Sequence, residues 1–214
     1  MNRVCLNFAR PGLDLAWMFS LFFVAFATFT SDAFAATDGA RLKAGVFSPP
    51  ALAPEFALRG SNGAELNLAR YRGKVVLLSF GFTHCTEVCP VTLATLAQAR
   101  KDLGANAAAM QVVYVTVDPE RDDAGRMKAY LSQFDPSFVG GTGKPDTLAG
   151  VRKNYGIVAA KVVSSGASGG SGGYAVDHSS SVYLIDAEGR LRAMMPYGHS
   201  AADYVHDVQL LLKK

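Results

Sequence analysis

Two short and nearly continuous apolar runs, residues 75–80 and 112–117, constrain the fold of this chain more than any other feature. Such runs suit strands that are covered on both faces, as in a parallel sheet. Between them Leu93 and Leu96 recur at helical spacing and predict a helix over about residues 90–103. The three elements form a β-α-β unit, which places the chain in the α/β class.

Helices and a hairpin after this unit complete the predicted fold. Helical spacing marks residues 127–134 and 148–155, and Ser200 can cap a last helix. Residues 181–186 and 190–195 alternate across a three-residue turn and predict an antiparallel hairpin. This order predicts a thioredoxin-like fold, in which helices flank a mixed central sheet.

Two additions to that fold are also predicted. Residues 56–58 and 65–68 flank a glycine-containing turn and indicate a hairpin at the N-terminal entry of the domain. Residues 164–173, with the sequence SSGASGGSGG, have the composition of an inserted flexible loop.

The first 35 residues have the pattern of a targeting segment. Arg3 and Arg10 precede an uncharged stretch over residues 15–31, and Ala33-Phe34-Ala35 fits a cleavage site. We therefore expect export, to the periplasmic side of the cytoplasmic membrane. The stretch is just long enough to leave two alternatives open, a cleaved signal peptide and a retained N-terminal membrane anchor.

The rest of the chain divides into a linker and one domain. Residues 36–52 contain small residues and Pro49-Pro50 and are interpreted as a linker, which leaves residues 53–214 as the domain. A chain of 214 residues supplies one full core. The net charge of +3 is not gathered into a basic patch with interleaved aromatics, so nucleic acid is not an expected partner.

Cys85 and Cys89 are the strongest candidates for chemistry. They lie in GFTHCTEVCP, residues 81–90, between a buried strand and the start of a helix. A disulfide closing so short a loop removes little chain entropy, so a redox or metal role is favoured over a structural one. If Pro90 is the first helical residue, Cys89 lies at the N-cap, where the helix dipole stabilises a thiolate.

Two thiolates leave a metal ion under-coordinated, and four histidines could supply a third ligand. His84 adjoins Cys85 and is interpreted as a packing or supporting residue, while His199 and His206 lie near the last helix and suit an exposed surface. His178 directly precedes a predicted core strand. The residues alone leave open whether it binds a metal or satisfies a structural hydrogen bond.

Other chemically interesting residues receive simpler interpretations. Asp118 and Asp122 could lie near a metal or a docking surface, but acids at a helix N-terminus are favoured. Met194 and Met195 fit alternation on a strand, with one side chain facing the core. The GTGKP string at residues 141–145 lacks the first glycine and the Ser or Thr of a phosphate-binding loop.

Three motifs together resemble one known family. GFTHCTEVCP is followed by VDPERD at residues 117–122 and by VDHSS at residues 176–180, in the order found in the Sco/SenC copper proteins. The similarity runs over about residues 54–212. It implies a thioredoxin-like fold that binds one copper ion, as Cu(I) or Cu(II), through Cys85, Cys89 and His178.

The resemblance also implies a role and a partner. Sco/SenC proteins support the maturation of the dinuclear copper site in cytochrome c oxidase subunit II, so the chain is expected to be a copper metallochaperone rather than an enzyme. The expected partners are that subunit or a related copper oxidase, together with other periplasmic copper carriers or thiol reductants. A thiol–disulfide oxidoreductase acting on the cysteines of that subunit is the alternative. The C-x-x-x-C spacing argues against a general oxidoreductase, whose usual spacing is C-x-x-C. Zinc could occupy the same three ligands.

Overall fold

The computed structural model describes residues 41–162 and 174–213. In chain order the strands of this part are β1 (Gly45–Leu52), β2 (Leu58–Gly60), β3 (Glu65–Leu66), β4 (Val75–Gly81), β5 (Met110–Thr116), β6 (Val139–Thr142), β7 (Ala159–Val162), β8 (Ala175–His178), β9 (Ser181–Ile185) and β10 (Arg190–Pro196). The α-helices are α1 (Val88–Asp102), α2 (Ala124–Leu131), α3 (Pro145–Asn154) and α4 (Ala201–Leu212).

A mixed sheet of eight strands organises these elements. Its order is β1-β10-β9-β4-β5-β6-β2-β3, and β4, β5 and β6 are parallel while the other neighbours are antiparallel. Helices α1 and α4 pack against each other, and α2 packs against β6. The predicted mixed sheet with flanking helices is confirmed. Strands β7 and β8 form a separate two-stranded antiparallel ribbon.

The core explains the two apolar runs from which the fold was predicted. Every residue of β4 and β5 is buried, because both strands lie in the middle of the sheet. Helix α1 buries Leu93, Leu96 and Ala99 on one face. The β-α-β unit therefore brings the carboxyl end of β4 and the start of α1 together at one edge of the core, where GFTHCTEVCP connects them.

The hairpin at the domain entry is present but shorter than predicted. Strands β2 and β3 pair antiparallel, with Leu58 opposite Leu66, and β2 also pairs with β6. The predicted flexible loop at residues 164–173 lies outside the described residues, as does the predicted targeting segment at residues 1–35. None of the described helices is long and apolar enough to cross a membrane.

The segment interpreted as a linker differs from that expectation. Residues 45–52 form strand β1, which pairs antiparallel with β10 at the edge of the sheet. Its register shifts between Val46 and Ala51, around the two prolines, and an edge strand tolerates proline because one row of its N–H groups needs no partner. Ala44 is buried just before it, and the carboxylate of Asp207 in α4 accepts the N–H groups of Lys43 and Ala44 at 2.8 and 2.9 Å.

Helix boundaries show one difference that matters for the site. Helix α1 begins at Val88 with Glu87 as its N-cap, so Pro90 is the third helical residue instead of the first. Cys89 consequently lies inside the first turn and not at the cap. At the other end of the chain, Ser200 caps α4 as predicted, in a reciprocal capping box with Asp203.

Candidate metal centre

Cys85 and Cys89 approach each other across the start of α1. Cys85 is half-buried in the segment that connects β4 with α1, while Cys89 is buried. The backbone N–H of Cys89 donates a hydrogen bond to Sγ of Cys85 at 3.5 Å. A free N–H at the first turn of a helix, aligned with the helix dipole, stabilises a thiolate at this sulfur.

A buried carboxylate fixes the start of the cysteine segment. Asp122, which is fully buried, accepts the N–H of Thr83 at 3.0 Å and the hydroxyl of Thr83 at 2.6 Å. It also accepts the hydroxyl of Thr116, at the end of β5, at 2.7 Å. Burial of a charged group is tolerable only when it is hydrogen-bonded in this way. The carboxylate thereby ties the cysteine segment to the end of the neighbouring strand.

Gly81 is needed because the space behind Cys89 is already filled. A Cβ atom at this position would lie 2.7 Å from Sγ of Cys89 and 2.1 Å from the hydroxyl oxygen of Tyr114. Tyr114 is itself almost completely buried in β5. No side chain larger than hydrogen fits here without displacing the sulfur or the tyrosine.

His178 reaches the cysteines from the end of the β7–β8 ribbon, where it pairs with Ala159. Its Nε2 lies 3.4 Å from Sγ of Cys89, and its ring packs edge-on against Phe82 at a centroid distance of 5.7 Å. Nδ1 lies 2.9 Å from the carbonyl oxygen of Ser179, which can only accept a hydrogen bond. Nδ1 is therefore the protonated nitrogen, which leaves Nε2 to face the sulfurs as a ligand atom.

The three side chains form one compact donor set. One ligand atom from each of Cys85, Cys89 and His178 lies within 4.8 Å of the other two. Among the described residues no other group of three histidine, cysteine or acidic side chains converges in this way. The structure thus brings together the three residues that the sequence and its family resemblance selected.

The pKa values of Cys85, Cys89 and His178 are shifted in different directions. A hydrogen bond from the Cys89 thiol lowers the pKa of Cys85 far below its ordinary value, against the opposing effect of burial. The pKa of Cys89 is raised, because its proton is held by the Cys85 sulfur and because the residue is buried. Burial alone would lower the pKa of His178, but hydrogen bonds to Cys85 and to the Ser179 carbonyl outweigh it and raise that pKa.

The remaining histidines lie apart from this donor set, as expected. Nε2 of His84 is 3.1 Å from a guanidinium nitrogen of Arg126. His199 and His206 contact the neighbouring carboxylates of Asp203 and Asp207.

The two methionines also follow their simpler interpretation. The side chain of Met195 is completely buried, whereas that of Met194 is half-buried. The alternation expected of a strand accounts for both, and neither is needed as a ligand.

The favoured interpretation of Asp118 and Asp122 as acids of a helix N-terminus is wrong. The N-cap of α2 is Asp123, whose side chain accepts the N–H of Arg126. Asp118 and Asp122 are at most 1% exposed, and each accepts hydrogen bonds from other segments. Sequence reasoning also missed Thr83, one of these partners, because only the folded chain shows which side chains face a buried carboxylate.

Comparison with known proteins agrees with this arrangement. A family model described as SCO1/SenC matches residues 47–213. The chain is 34% identical over 157 residues to the mitochondrial SCO2 homolog of Mus musculus, a match that covers 72% of this chain and 60% of the mouse protein. The chain therefore corresponds to less than two thirds of that relative's length.

Solved structures are similar over most of the described residues. ScoI of Bradyrhizobium japonicum, whose structure has copper bound, is 33% identical with a TM-score of 0.66, covering 74% of this chain and 98% of its own. Apo Sco1 of Thermus thermophilus is 33% identical with a TM-score of 0.70, covering 80% of this chain and 97% of its own. The predicted thioredoxin-like fold is the fold of these proteins.

Proposed function

Because this chain belongs to the SCO1/SenC family, we propose that it binds one copper ion through Cys85, Cys89 and His178 and acts in the assembly of a respiratory oxidase. The observation that carries the proposal is the convergence of two sulfurs and one imidazole nitrogen within 4.8 Å. Thiolate and imidazole are ligands that copper prefers, and copper stands at the top of the divalent affinity order. The copper-bound structure of the similar ScoI supports the choice of metal.

The donor set fits a metal ion of this kind. Thiolate and imidazole ligands bond to an ion such as zinc at about 2.0–2.3 Å, so two ligands of one ion lie within about 4 Å of each other. Sγ of Cys89 and Nε2 of His178 already lie in that range at 3.4 Å, and no pair of the three atoms is more than 4.8 Å apart, so at most a small contraction is needed. The hydrogen bond from Nδ1 of His178 to Ser179 holds the imidazole in the tautomer that such binding requires.

Copper is the cargo of this proposed role, and the recipient is the dinuclear copper site of cytochrome c oxidase subunit II. The recipient rests on the family resemblance. The residues of this chain hold and release the ion: Cys85 offers a thiolate, while Cys89 must lose its proton as the ion enters. A site with one thiolate already formed captures copper readily, and the deprotonation of the second thiol makes binding reversible by protonation.

A thiol–disulfide oxidoreductase is the second candidate, favoured by the unequal thiols. The Cys85 thiolate would attack a disulfide of the partner, releasing one partner thiolate and leaving a mixed disulfide. Cys89 would then displace the second partner thiolate and close the Cys85–Cys89 disulfide. The partner gains two electrons and this chain loses two. His178 is not required as a metal ligand in this reaction.

Copper titration tests the proposal and separates copper binding from zinc binding. The reduced protein should bind one equivalent of Cu(I) in competition with a chromophoric chelator, and Cys85→Ser and Cys89→Ser should each abolish tight binding. Ser132→Ala, a change at the end of α2, serves as the control and should bind as the parent does. Equal occupancy by zinc in the presence of one equivalent of copper would contradict the proposal.

Export is part of the same proposal. Residues 1–35 direct the chain across the cytoplasmic membrane, and the copper domain works on the periplasmic side. A reporter enzyme that is active only in the periplasm, fused after residue 214, should be active, and deletion of residues 1–35 should abolish its activity. A reporter that stays inactive in the full-length fusion would contradict export.

A further inference from the structure

The connection between β5 and α2 carries two buried carboxylates that metal binding does not use. Asp118 and Asp122 are 1% and 0% exposed and stand four residues apart. Asp122 holds the cysteine segment through Thr83, as described above. Asp118 is directed elsewhere, towards the segment that leads into His178.

Asp118 and Arg121 both contact one aromatic residue, Tyr174. The hydroxyl of Tyr174 donates to Oδ1 of Asp118 at 2.7 Å, and Nε of Arg121 donates to the other carboxylate oxygen. Nη1 of Arg121 donates to the backbone carbonyl of Tyr174 at 3.2 Å, and its guanidinium carbon lies 3.9 Å from the centre of the tyrosine ring. Tyr174 is thus held by its hydroxyl, its ring and its backbone. We name Asp118, Arg121 and Tyr174 the tyrosine clamp.

The tyrosine clamp stands at the entrance to the strand that carries His178. Tyr174 directly precedes β8, the four-residue strand that ends at His178. This strand pairs with β7 alone and makes no ladder with the main sheet. An isolated two-stranded ribbon is only marginally stable. Its position against the rest of the molecule therefore depends on contacts made by its side chains and its ends.

Arg121 also contacts the aromatic ring against which His178 packs. Its guanidinium carbon lies 5.7 Å from the ring centre of Phe82, the same ring that packs edge-on against the imidazole of His178. At the far end of the ribbon, the N–H of Ser179 donates to the carbonyl of Val158 at 3.0 Å. The strand that carries His178 is consequently held by the tyrosine clamp at one end and by this backbone bond at the other, while the imidazole packs against Phe82.

We propose that Asp118, Arg121 and Tyr174 are positioning residues that hold His178 at the distance from Cys85 and Cys89 at which one metal ion can be shared. One short connection then sets both halves of the centre, since Asp122 fixes the cysteine segment and Asp118 fixes the histidine strand. The identity of the ion as copper rests on the proposed function, whereas the positioning of the imidazole does not.

The test removes one hydroxyl and follows the imidazole itself. Tyr174→Phe keeps the ring over Arg121 and loses the bond to Asp118. In the reduced, metal-free protein, the nitrogen chemical shifts of the His178 ring should move or broaden, and the Kd for Cu(I) should weaken by about tenfold. Tyr197→Phe removes a hydroxyl from a residue that is 52% exposed, and it is the matched control that should change neither quantity.

The same substitution made in the His178→Ala protein distinguishes an effect on the position of His178 from a general loss of protein stability. In His178→Ala, the further change Tyr174→Phe should leave the Kd unaltered, because the ligand that the tyrosine clamp positions is gone. Equal weakening in both backgrounds would overturn the proposal, as would parental ring shifts in Tyr174→Phe. If Tyr174→Phe does not fold, Arg121→Lys takes its place, since lysine keeps the charge and loses the fork that joins Asp118 to Tyr174.

A wrong assignment of the metal can be told apart from a wrong assignment of the positioning residues. A parent protein that binds no Cu(I) contradicts the proposed function, and the ring shifts of the metal-free protein still decide whether the tyrosine clamp positions His178.

Discussion

The sulfur of Cys89 lies 3.4 Å from Nε2 of His178, although 89 residues separate the two in the chain. Cys89 is held by the first turn of a core helix, whereas His178 ends a ribbon that belongs to no other sheet. The two ligand groups therefore reach the same point from a helix of the core and from a ribbon outside the main sheet. Loss of the imidazole leaves the sulfurs in place, so its contribution can be measured by itself.

Replacement of His178 by alanine should weaken Cu(I) binding by more than about tenfold and change any thiolate–Cu(II) absorption, because one of three ligands is lost. Competition with a chelator measures the first effect and visible spectroscopy the second. His199→Ala, which alters a histidine beside Asp203, should behave as the parent does. An unaltered affinity and spectrum in His178→Ala would remove this residue from the site.

Copper affinity should rise with pH through the neutral range. The metal-free centre holds a proton on Cys89, whose pKa is raised, and His178, whose pKa is also raised, takes up another as the pH falls. Copper binding must release these protons, so lower pH favours the metal-free form. We expect the Kd to fall about tenfold per pH unit above the imidazole pKa and more steeply below it. A copper affinity that does not change between pH 6 and pH 8 would contradict the claim that copper binding releases these protons.

Gly81→Ala should damage both stability and the metal centre. The added methyl would lie 2.1 Å from the Tyr114 hydroxyl and 2.7 Å from the Cys89 sulfur, and both groups are packed in the core. We expect a loss of about 1–3 kcal/mol in the free energy of unfolding, typical of overpacking, together with weaker copper binding.

Gly150→Ala is the matched control for this substitution. Gly150 lies in α3 with nothing within 4 Å of an added Cβ, so alanine should be neutral or stabilising. Adding Tyr114→Phe to Gly81→Ala should recover part of the loss, because the closest clash is with the hydroxyl. Denaturant unfolding compares all four proteins, and a Gly81→Ala protein as stable as the Gly150→Ala protein would show that the site relaxes freely.

Oxidation to a Cys85–Cys89 disulfide should abolish copper binding. Both sulfurs would lose the thiolate charge that the ion needs, leaving one imidazole of three ligands. Protein oxidised until neither Cys85 nor Cys89 is a free thiol should bind no Cu(I), and a reductant should restore one equivalent. Full recovery of copper binding after reduction also controls for irreversible oxidative damage. Stoichiometric copper on the fully oxidised protein would refute the expectation.

The sequence predicted the fold best in strands whose burial on both faces requires almost every residue to be apolar. Strands β4 and β5 are buried on both faces, so their sequences are nearly all apolar and could be identified directly. The site was predictable in part: the cysteine spacing indicated a redox or metal centre, but His178 was selected only through the family resemblance. No local pattern reveals that a residue 89 positions away faces Cys89.

Other features depend on tertiary contacts that composition does not encode. Strand β6 contains two glycines, a weak strand signal, and exists because β5 and β2 pair with it on either side. Glu87 is the N-cap of α1 but makes no side-chain capping hydrogen bond, so its sequence does not mark the start of the helix. Pro90, which is common at the first helical position, therefore led to a predicted start two residues too late. The aspartates of VDPERD resembled helix-terminal acids because their partners, Thr83 and Tyr174, come from distant segments.

Strand β1 sets where the protein can be shortened. A version that starts at residue 53, the boundary drawn from composition, would leave β10 with a row of unpaired N–H and C=O groups facing solvent. It would also leave the carboxylate of Asp207 buried without the two backbone donors of Lys43 and Ala44. Open strands of this kind pair with other copies of the same chain. We therefore expect a protein trimmed at residue 53 to self-associate more readily than one trimmed at residue 41.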